Sequence, residues 1–235
     1  MKKKAIIISI KGFKLTNKEK LLLKEKPWGI ILFKRNIKSL NQIIHLTQNI
    51  KRITKNKFFP ILVDEEGSTV SRLVNIINHN VSANYFGDIY AINNKIGVVL
   101  YKKYLNSLCK QLKNIGINVN TIPVLDVLRK NTSKVIGTRS FSKKKEIVKR
   151  LGQITVAECH ANKIISVIKH IPGHGCATLD SHLKMPVVNL ENNDLNKNDF
   201  YPFKTSAAKL AMTAHILYKK IDNKNVATFL LSIFL

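Results

Sequence analysis

The chain has 235 residues, 45% of them apolar, which suffices for one large domain or two small ones. Its longest apolar runs are strand-sized, so no membrane partner is expected. Its 40 lysines and arginines against 14 acidic residues give a net charge of +26, but the lysines are spread from Lys2 to Lys224 and not concentrated in one patch. With Asn and Ile also abundant, this reads as a bias toward A/T-rich codons, and nucleic acid is not the expected partner.

Met1 and three lysines lead into an apolar stretch at residues 5–10 that has the look of a signal peptide. It is short, lacks a small-residue cleavage site and runs into Lys11-Gly12-Phe13-Lys14, so it reads as a first strand and the chain as cytoplasmic. A second strand is predicted at 28–33. A helix follows at 39–53, where Leu40, Ile43, Ile44, Leu46 and Ile50 recur at helical spacing. Residues 60–63 form a short buried strand ending in Asp64-Glu65-Glu66-Gly67. A helix at 96–115 leads to a strand at 118–121, and a helix at 143–162 leads to a strand at 164–168. A polar loop at 192–198, a helix at 199–209 and a sixth strand at 210–214 complete the order.

Strand followed by helix, with no run of consecutive strands, indicates a parallel α/β fold. An eight-stranded barrel and an open doubly wound sheet both satisfy that order. A doubly wound sheet binds at one switch point, usually with a glycine-rich turn, and neither GxGxxG nor GxxxxGK[ST] occurs. Here polar residues follow several strands: Asp64, Asp126, Lys169 with His170, and His215. Distribution over several strand ends favours the barrel.

The densest group of titratable residues is Lys169-His170-Ile171-Pro172-Gly173-His174-Gly175, followed by Asp180-Ser181-His182. An aspartate two positions from a histidine can orient one ring nitrogen and raise the basicity of the other. A solvated turn would read the same way, and the pair alone leaves both open. Lys169 and His170 close a buried strand. His174, between two glycines, suits a loop-shaping role. No metal is expected, because the His170–His174 spacing lies in a loop with no third ligand in evidence. Cys109, Cys159 and Cys176 form no CxxC pair, which argues against zinc or a disulfide framework and fits a reducing compartment. Cys176 reads as a small filler.

The phrase KHIPGHG…DSH resembles the signature of glycoside hydrolase family 3, in its bacterial β-N-acetylglucosaminidase branch. Other phrases carry the same resemblance in order: Gly29-Ile30-Ile31-Leu32-Phe33; Val63-Asp64-Glu65-Glu66-Gly67, similar to VDxEGG; Asn120 to Val127, similar to NxxPVLDV; Ile136 to Phe141, similar to IGxRSF; and Met212-Thr213-Ala214-His215. The family has Gly and Arg where this chain has Ser68 and Thr69. The resemblance implies a (β/α)8 TIM-barrel type domain over residues 1–235. It also implies release of terminal N-acetylglucosamine from cell-wall muropeptide fragments by a retaining mechanism, without a cofactor. In that scheme His182 is the acid/base, oriented by Asp180, and Asp64, Arg72, Arg139, Lys169 and His170 hold the sugar. Asp126 stands behind them. The family's nucleophile is an aspartate in an SDD-type motif after the seventh strand, and this sequence reaches Leu235 shortly after its sixth. About six of eight βα units are therefore expected, with a complementing C-terminal fragment as a partner for turnover. A non-catalytic sugar-binding remnant is the alternative within the family. A basic nucleic-acid-binding module is the alternative outside it.

Overall fold

The computed structural model describes residues 3–179 and 185–229. After β1 (Lys4–Ser9) and α1 (Asn17–Lys24), the chain alternates β2 (Pro27–Leu32), α2 (Leu40–Ile53), β3 (Ile61–Val63), the helix pair α3 (Ala83–Ile92) and α4 (Asn94–Asn114), β4 (Val119–Asn120), α5 (Lys145–Ala161) and β5 (Ile165–Ile171). There follow β6 (Val187–Val188), α6 (Asn192–Lys197), α7 (Tyr201–Lys204), β7 (Leu210–Thr213) and β8 (Leu217–Tyr218). Six strands form one parallel sheet in the order β1-β2-β3-β4-β5-β7, and β6 pairs with β8 in a separate parallel ladder.

The two faces of the sheet decide between barrel and open sheet. Ile30, Leu32, Ile61, Val63 and Ile168 pack with the buried residues of the helices, such as Ile43, Leu46, Leu105, Leu112, Leu151 and Ile154. The alternate residues Ile31, Leu62, Val119 and Val167 meet one another with Trp28, Leu210 and Met212, and among the described residues no helix residue joins this cluster. Helices thus cover one face and strand side chains alone fill the other. This is an incomplete (β/α)8-type barrel, curled around its own inner cluster, and the doubly wound alternative is excluded. Among the described residues β1 and β7 are the sheet's edges, and Ile6 and Ile7 on β1 are exposed.

Local chemistry accounts for the helix ends. Thr16 accepts from the Glu19 amide while Glu19 accepts from the Thr16 amide, a capping box that starts α1. Ser39, Ser82 and Asn93 cap α2, α3 and α4 through their side chains. Four helices end the same way, with the second residue beyond the helix at positive φ: Lys26, Lys55, Lys163 and Gly116. Only the last is a glycine, the residue this conformation favours.

The expected elements shift in three places. β5 runs on through Lys169 and His170 to Ile171, so those side chains lie within the strand. Residues 192–198, expected as a polar loop, contain α6, anchored by the single buried apolar residue Leu195 and by Asp194 bonded to Arg129. The helix expected at 199–209 is only the single turn α7, begun by Pro202, because Asp199 is committed to Arg129 and 205–209 run as loop. Among the described residues no helix is long and apolar enough to cross a membrane.

Candidate active site

The strand register brings the polar residues to one end of the sheet. Leu32 pairs with Val63, Val63 with Asn120, and Lys169 with Met212, so the residues just past β3, β4 and β7 gather around the last turn of β5. The backbone of Lys169 also bonds Pro123 and Leu125, which draws the segment after β4 against β5 and places Asp126 beside His170.

Lys169 lies at the centre, 2% exposed, with its ammonium 2.5 Å from Glu66 Oε1, 2.7 Å from Thr121 Oγ1 and 3.6 Å from Asp64 Oδ1. Thr121 donates its own proton to Asp64 Oδ1 at 2.6 Å, and Arg72 reaches Asp64 Oδ2 at 3.2 Å. Arg139, on the short turn Gly137–Arg139, forks onto both oxygens of Glu66 at 2.7 and 2.9 Å. Such paired, charge-assisted contacts are among the strong ones. Burial alone would raise the Asp64 and Glu66 carboxyls. The Lys169 charge, with Thr121 and Arg72 at Asp64 and with Arg139 at Glu66, outweighs it and holds both below the usual carboxylate range.

His170 sits between two groups that fix its tautomer. Asp126, fully buried, takes the ring Nδ1 proton at 2.7 Å, while the Arg139 guanidinium faces Nε2 at 3.4 Å. An arginine has only donors to offer, so Nδ1 carries the proton and Nε2 presents its lone pair. Burial would raise the Asp126 carboxyl, but His170 and the His174 amide hold it low. Burial, the largest influence on the His174 ring, lowers its tendency to protonate.

The loop after β5 is held by close approach. A Cβ on Gly175 would lie 1.8 Å from the Val127 carbonyl, and Gly173 has φ of +145° with Asp199 against it. Tyr218 donates to the Gly173 carbonyl, and Thr132 to that of Gly175. A cavity of about 140 Å³ opens beside this loop, lined by Arg139, His170, His174, Met212, Thr213 and His215 among others.

Five expected sugar-holding residues, Asp64, Arg72, Arg139, Lys169 and His170, therefore form one connected network. Its junction is Glu66, which was not among the expected site residues although it stands inside the VDxEGG-like phrase. Thr121, a neutral hydroxyl at a strand end, carried no signal in the sequence. Asp126, expected to stand behind the site, holds the His170 ring. Asp180 and His182 lie outside the described residues. Three carboxylates, Asp64, Glu66 and Asp126, face three cations, Arg72, Arg139 and Lys169. Among the described residues no group of three His, Cys, Asp or Glu is set to hold a metal.

Comparison with known proteins gives this arrangement a context. The family model described as the glycosyl hydrolase family 3 N terminal domain matches residues 3–230. Beta-hexosaminidase A of Pseudoalteromonas piscicida is 36% identical over 208 residues, covering 84% of this chain and 34% of that protein. Beta-hexosaminidase of Neisseria meningitidis serogroup A is 31% identical over 224 residues, covering 93% of this chain and 62% of that protein. The crystal structure of native NagZ from Neisseria gonorrhoeae superposes with a TM-score of 0.87 at 32% identity, covering 95% of this chain and 66% of that one. A further structure of NagZ from that organism, in complex with N-trifluoroacetyl-D-glucosamine, superposes with the same TM-score. The chain thus spans less than two thirds of the length of these relatives. On the family match across nearly its whole length, the chain belongs to glycoside hydrolase family 3.

Proposed function

We propose that residues 1–235 form a barrel domain of a cytoplasmic β-N-acetylhexosaminidase that releases terminal N-acetylglucosamine from cell-wall muropeptide fragments during peptidoglycan recycling. The observation that carries this reading is the buried, charge-balanced network of Asp64, Glu66, Lys169 and Arg139 at the C-terminal ends of the strands. Fixed carboxylates accept hydroxyl protons strongly, and fixed cations donate to hydroxyl oxygens, which is the pattern an uncharged polyol requires. The likeness to a relative solved with an N-acetylglucosamine derivative supports the choice of sugar.

In this reading Asp64 and Arg72 take adjacent hydroxyls from one side, and Lys169, His170 and Arg139 take them from the other. His182, oriented by Asp180, protonates the leaving oxygen and then deprotonates water. A retaining reaction also needs a carboxylate at the anomeric carbon. Asp64, Glu66 and Asp126 are each engaged by a cation or an imidazole. The reading therefore places the nucleophile on polypeptide that pairs with the open edge of β1 or β7, contributed by a complementing segment.

The test is a calorimetric titration with N-acetylglucosamine. Asp64→Ala should weaken binding about tenfold to a hundredfold, the equivalent of roughly 1.5–3 kcal/mol for one charge-assisted group. Equal affinity of Asp64→Ala and parent would sink the proposal.

A further inference from the structure

Behind the sugar-facing network lies a second, separate chain of titratable groups. Glu65 is fully buried, and its side chain turns away from Lys169, opposite to those of its neighbours Asp64 and Glu66. Its Oε2 accepts from the backbone amides of Arg72 at 2.8 Å and Leu73 at 2.9 Å. Its Oε1 takes His79 Nε2 at 2.6 Å, and His79 Nδ1 meets the Tyr104 hydroxyl of α4 at 3.0 Å. The backbone of Glu65 is pinned as well, since Asn120 bonds both its amide and its carbonyl, at 3.0 and 2.9 Å. Burial, reinforced by the Glu65 charge, pushes the Tyr104 phenol up, so it stays a donor to the ring.

This arrangement bears on Arg72. Its side chain is 31% exposed, and its ion pair is a single 3.2 Å contact with Asp64. A partly exposed pair of that length, with the Phe33 ring 5.9 Å from the guanidinium carbon, holds a flexible side chain only loosely. What is fixed is its backbone, and Glu65 fixes it. The Glu66 and Gly67 amides on the Val70 carbonyl and the Ser68 amide on the Val81 carbonyl shape the tip of the loop from 65 to 73, and the Ile76 and Ile77 amides take the Leu73 carbonyl, while the amides of Arg72 and Leu73 go to Glu65. The VDxEGG pattern leaves the position of Glu65 open, so the resemblance assigns no role to it.

We infer that Glu65, braced by His79 and Tyr104, is the positioning residue that sets Arg72 against Asp64 and so completes the sugar clamp. The inference rests on the sugar-binding reading above. A purely structural role for Glu65 would lower affinity independently of Arg72; a positioning role makes the Arg72 contribution conditional on Glu65.

The test is a double-mutant cycle on the full chain, with N-acetylglucosamine as titrant. In the parent, Arg72→Ala should weaken binding about tenfold. In a Glu65→Ala background the same change should cost less than about twofold, the signature of coupled residues. Glu65→Gln, which keeps an acceptor for both amides, should stay within about threefold of the parent and retain the full Arg72 effect. Where Glu65→Ala does not fold, Tyr104→Phe serves in the cycle and should cut the Arg72 effect by about threefold. Hydrogen exchange supplies a readout free of sugar: the Arg72 and Leu73 amides should exchange at least about tenfold faster in the Glu65→Ala or Tyr104→Phe protein, with α5 amides unchanged. Additive losses in the cycle, or unchanged exchange at those two amides, would overturn the inference. A parent that binds no N-acetylglucosamine would instead defeat the sugar reading, and the exchange result alone would then decide the brace.

Discussion

Lys169 meets three oxygens in an almost dry setting, and that makes it the residue whose removal should be felt most. Lys169→Met keeps much of the side-chain volume but leaves Glu66 and Asp64 short of a compensating charge. Removing one partner of a buried pair typically costs about 3–5 kcal/mol, so urea denaturation at neutral pH should show a loss of that order. The pH dependence has a definite sign. Asp64, Glu66 and Asp126 bind protons more weakly folded than unfolded. Below the ordinary carboxylate range of about pH 4 the unfolded chain therefore takes up more protons, so their stabilisation is complete above that range and is lost as pH falls through the folded values. Asp199, raised by burial against the pull of Arg129, acts in the opposite direction and offsets part of the loss. In Lys169→Met the two nearest carboxyls rise, so acid unfolding should begin at higher pH than in the parent; an unmoved acid limb would show that Lys169 does not hold them down. Asp64, Asp126, Lys169 and His170 were legible in the sequence because charge after an apolar run is conspicuous, whereas Arg72 and Arg139 came only from the resemblance to the family. Glu66 was hidden beside two other acids, and Thr121 has no charge to betray it.

The connections that return the chain from helix to strand share one geometry, and three of four fill it with the wrong residue. Lys26, Lys55 and Lys163 sit at φ of 57°, 51° and 63°, where an L side chain crowds its own carbonyl. Glycine removes that crowding, so Lys26→Gly, Lys55→Gly and Lys163→Gly should each stabilise by about 0.5–1 kcal/mol, net of glycine's greater unfolded freedom. For a chain of this size that is roughly 1–4 °C in Tm per substitution, readable by calorimetry. Gly116 has φ of 82°, and a Cβ placed on it would stand 2.5 Å from Thr47 Oγ1. Gly116→Lys should therefore destabilise by more than any of the three gains. Elements with apolar spacing, such as α2 with Ile43, Leu46 and Ile50 buried, were legible from the sequence alone. α1 was not, because Leu21, Leu22 and Leu23 run consecutively and only Leu23 is buried. α6 was not, because its stability comes from Arg129 and Leu195 contacts made at a distance in sequence.

At the scale of the whole molecule, the order of the six sheet strands and of α2, α4 and α5 was readable from alternation, and the choice of barrel over open sheet from the spread of polar residues over several strand ends. Which face the helices cover was not readable, since both faces of a parallel strand are apolar. Among the described residues β1 and β7 have no second partner in the sheet, and Ile6 and Ile7 are exposed on β1. A strand with unpaired backbone and apolar side chains favours association, so Ile6→Lys should lower the self-association measured by sedimentation; unchanged sedimentation would show that this edge is not the contact.

The cancellation of three carboxylates by three cations inside the site has a consequence for ionic strength. The surface carries the excess that gives +26, while the clamp itself is electrically balanced. A neutral sugar entering a balanced clamp displaces no counterions, so its affinity should stay flat as salt is raised from about 50 to 200 mM. Heparin or DNA held by the lysine-rich exterior should be released over the same range, with affinity falling by an order of magnitude or more. Salt thus separates what the interior recognises from what the exterior merely attracts, and a sugar affinity that fell with salt as steeply as that of a polyanion would mean that the ligand never reached the clamp.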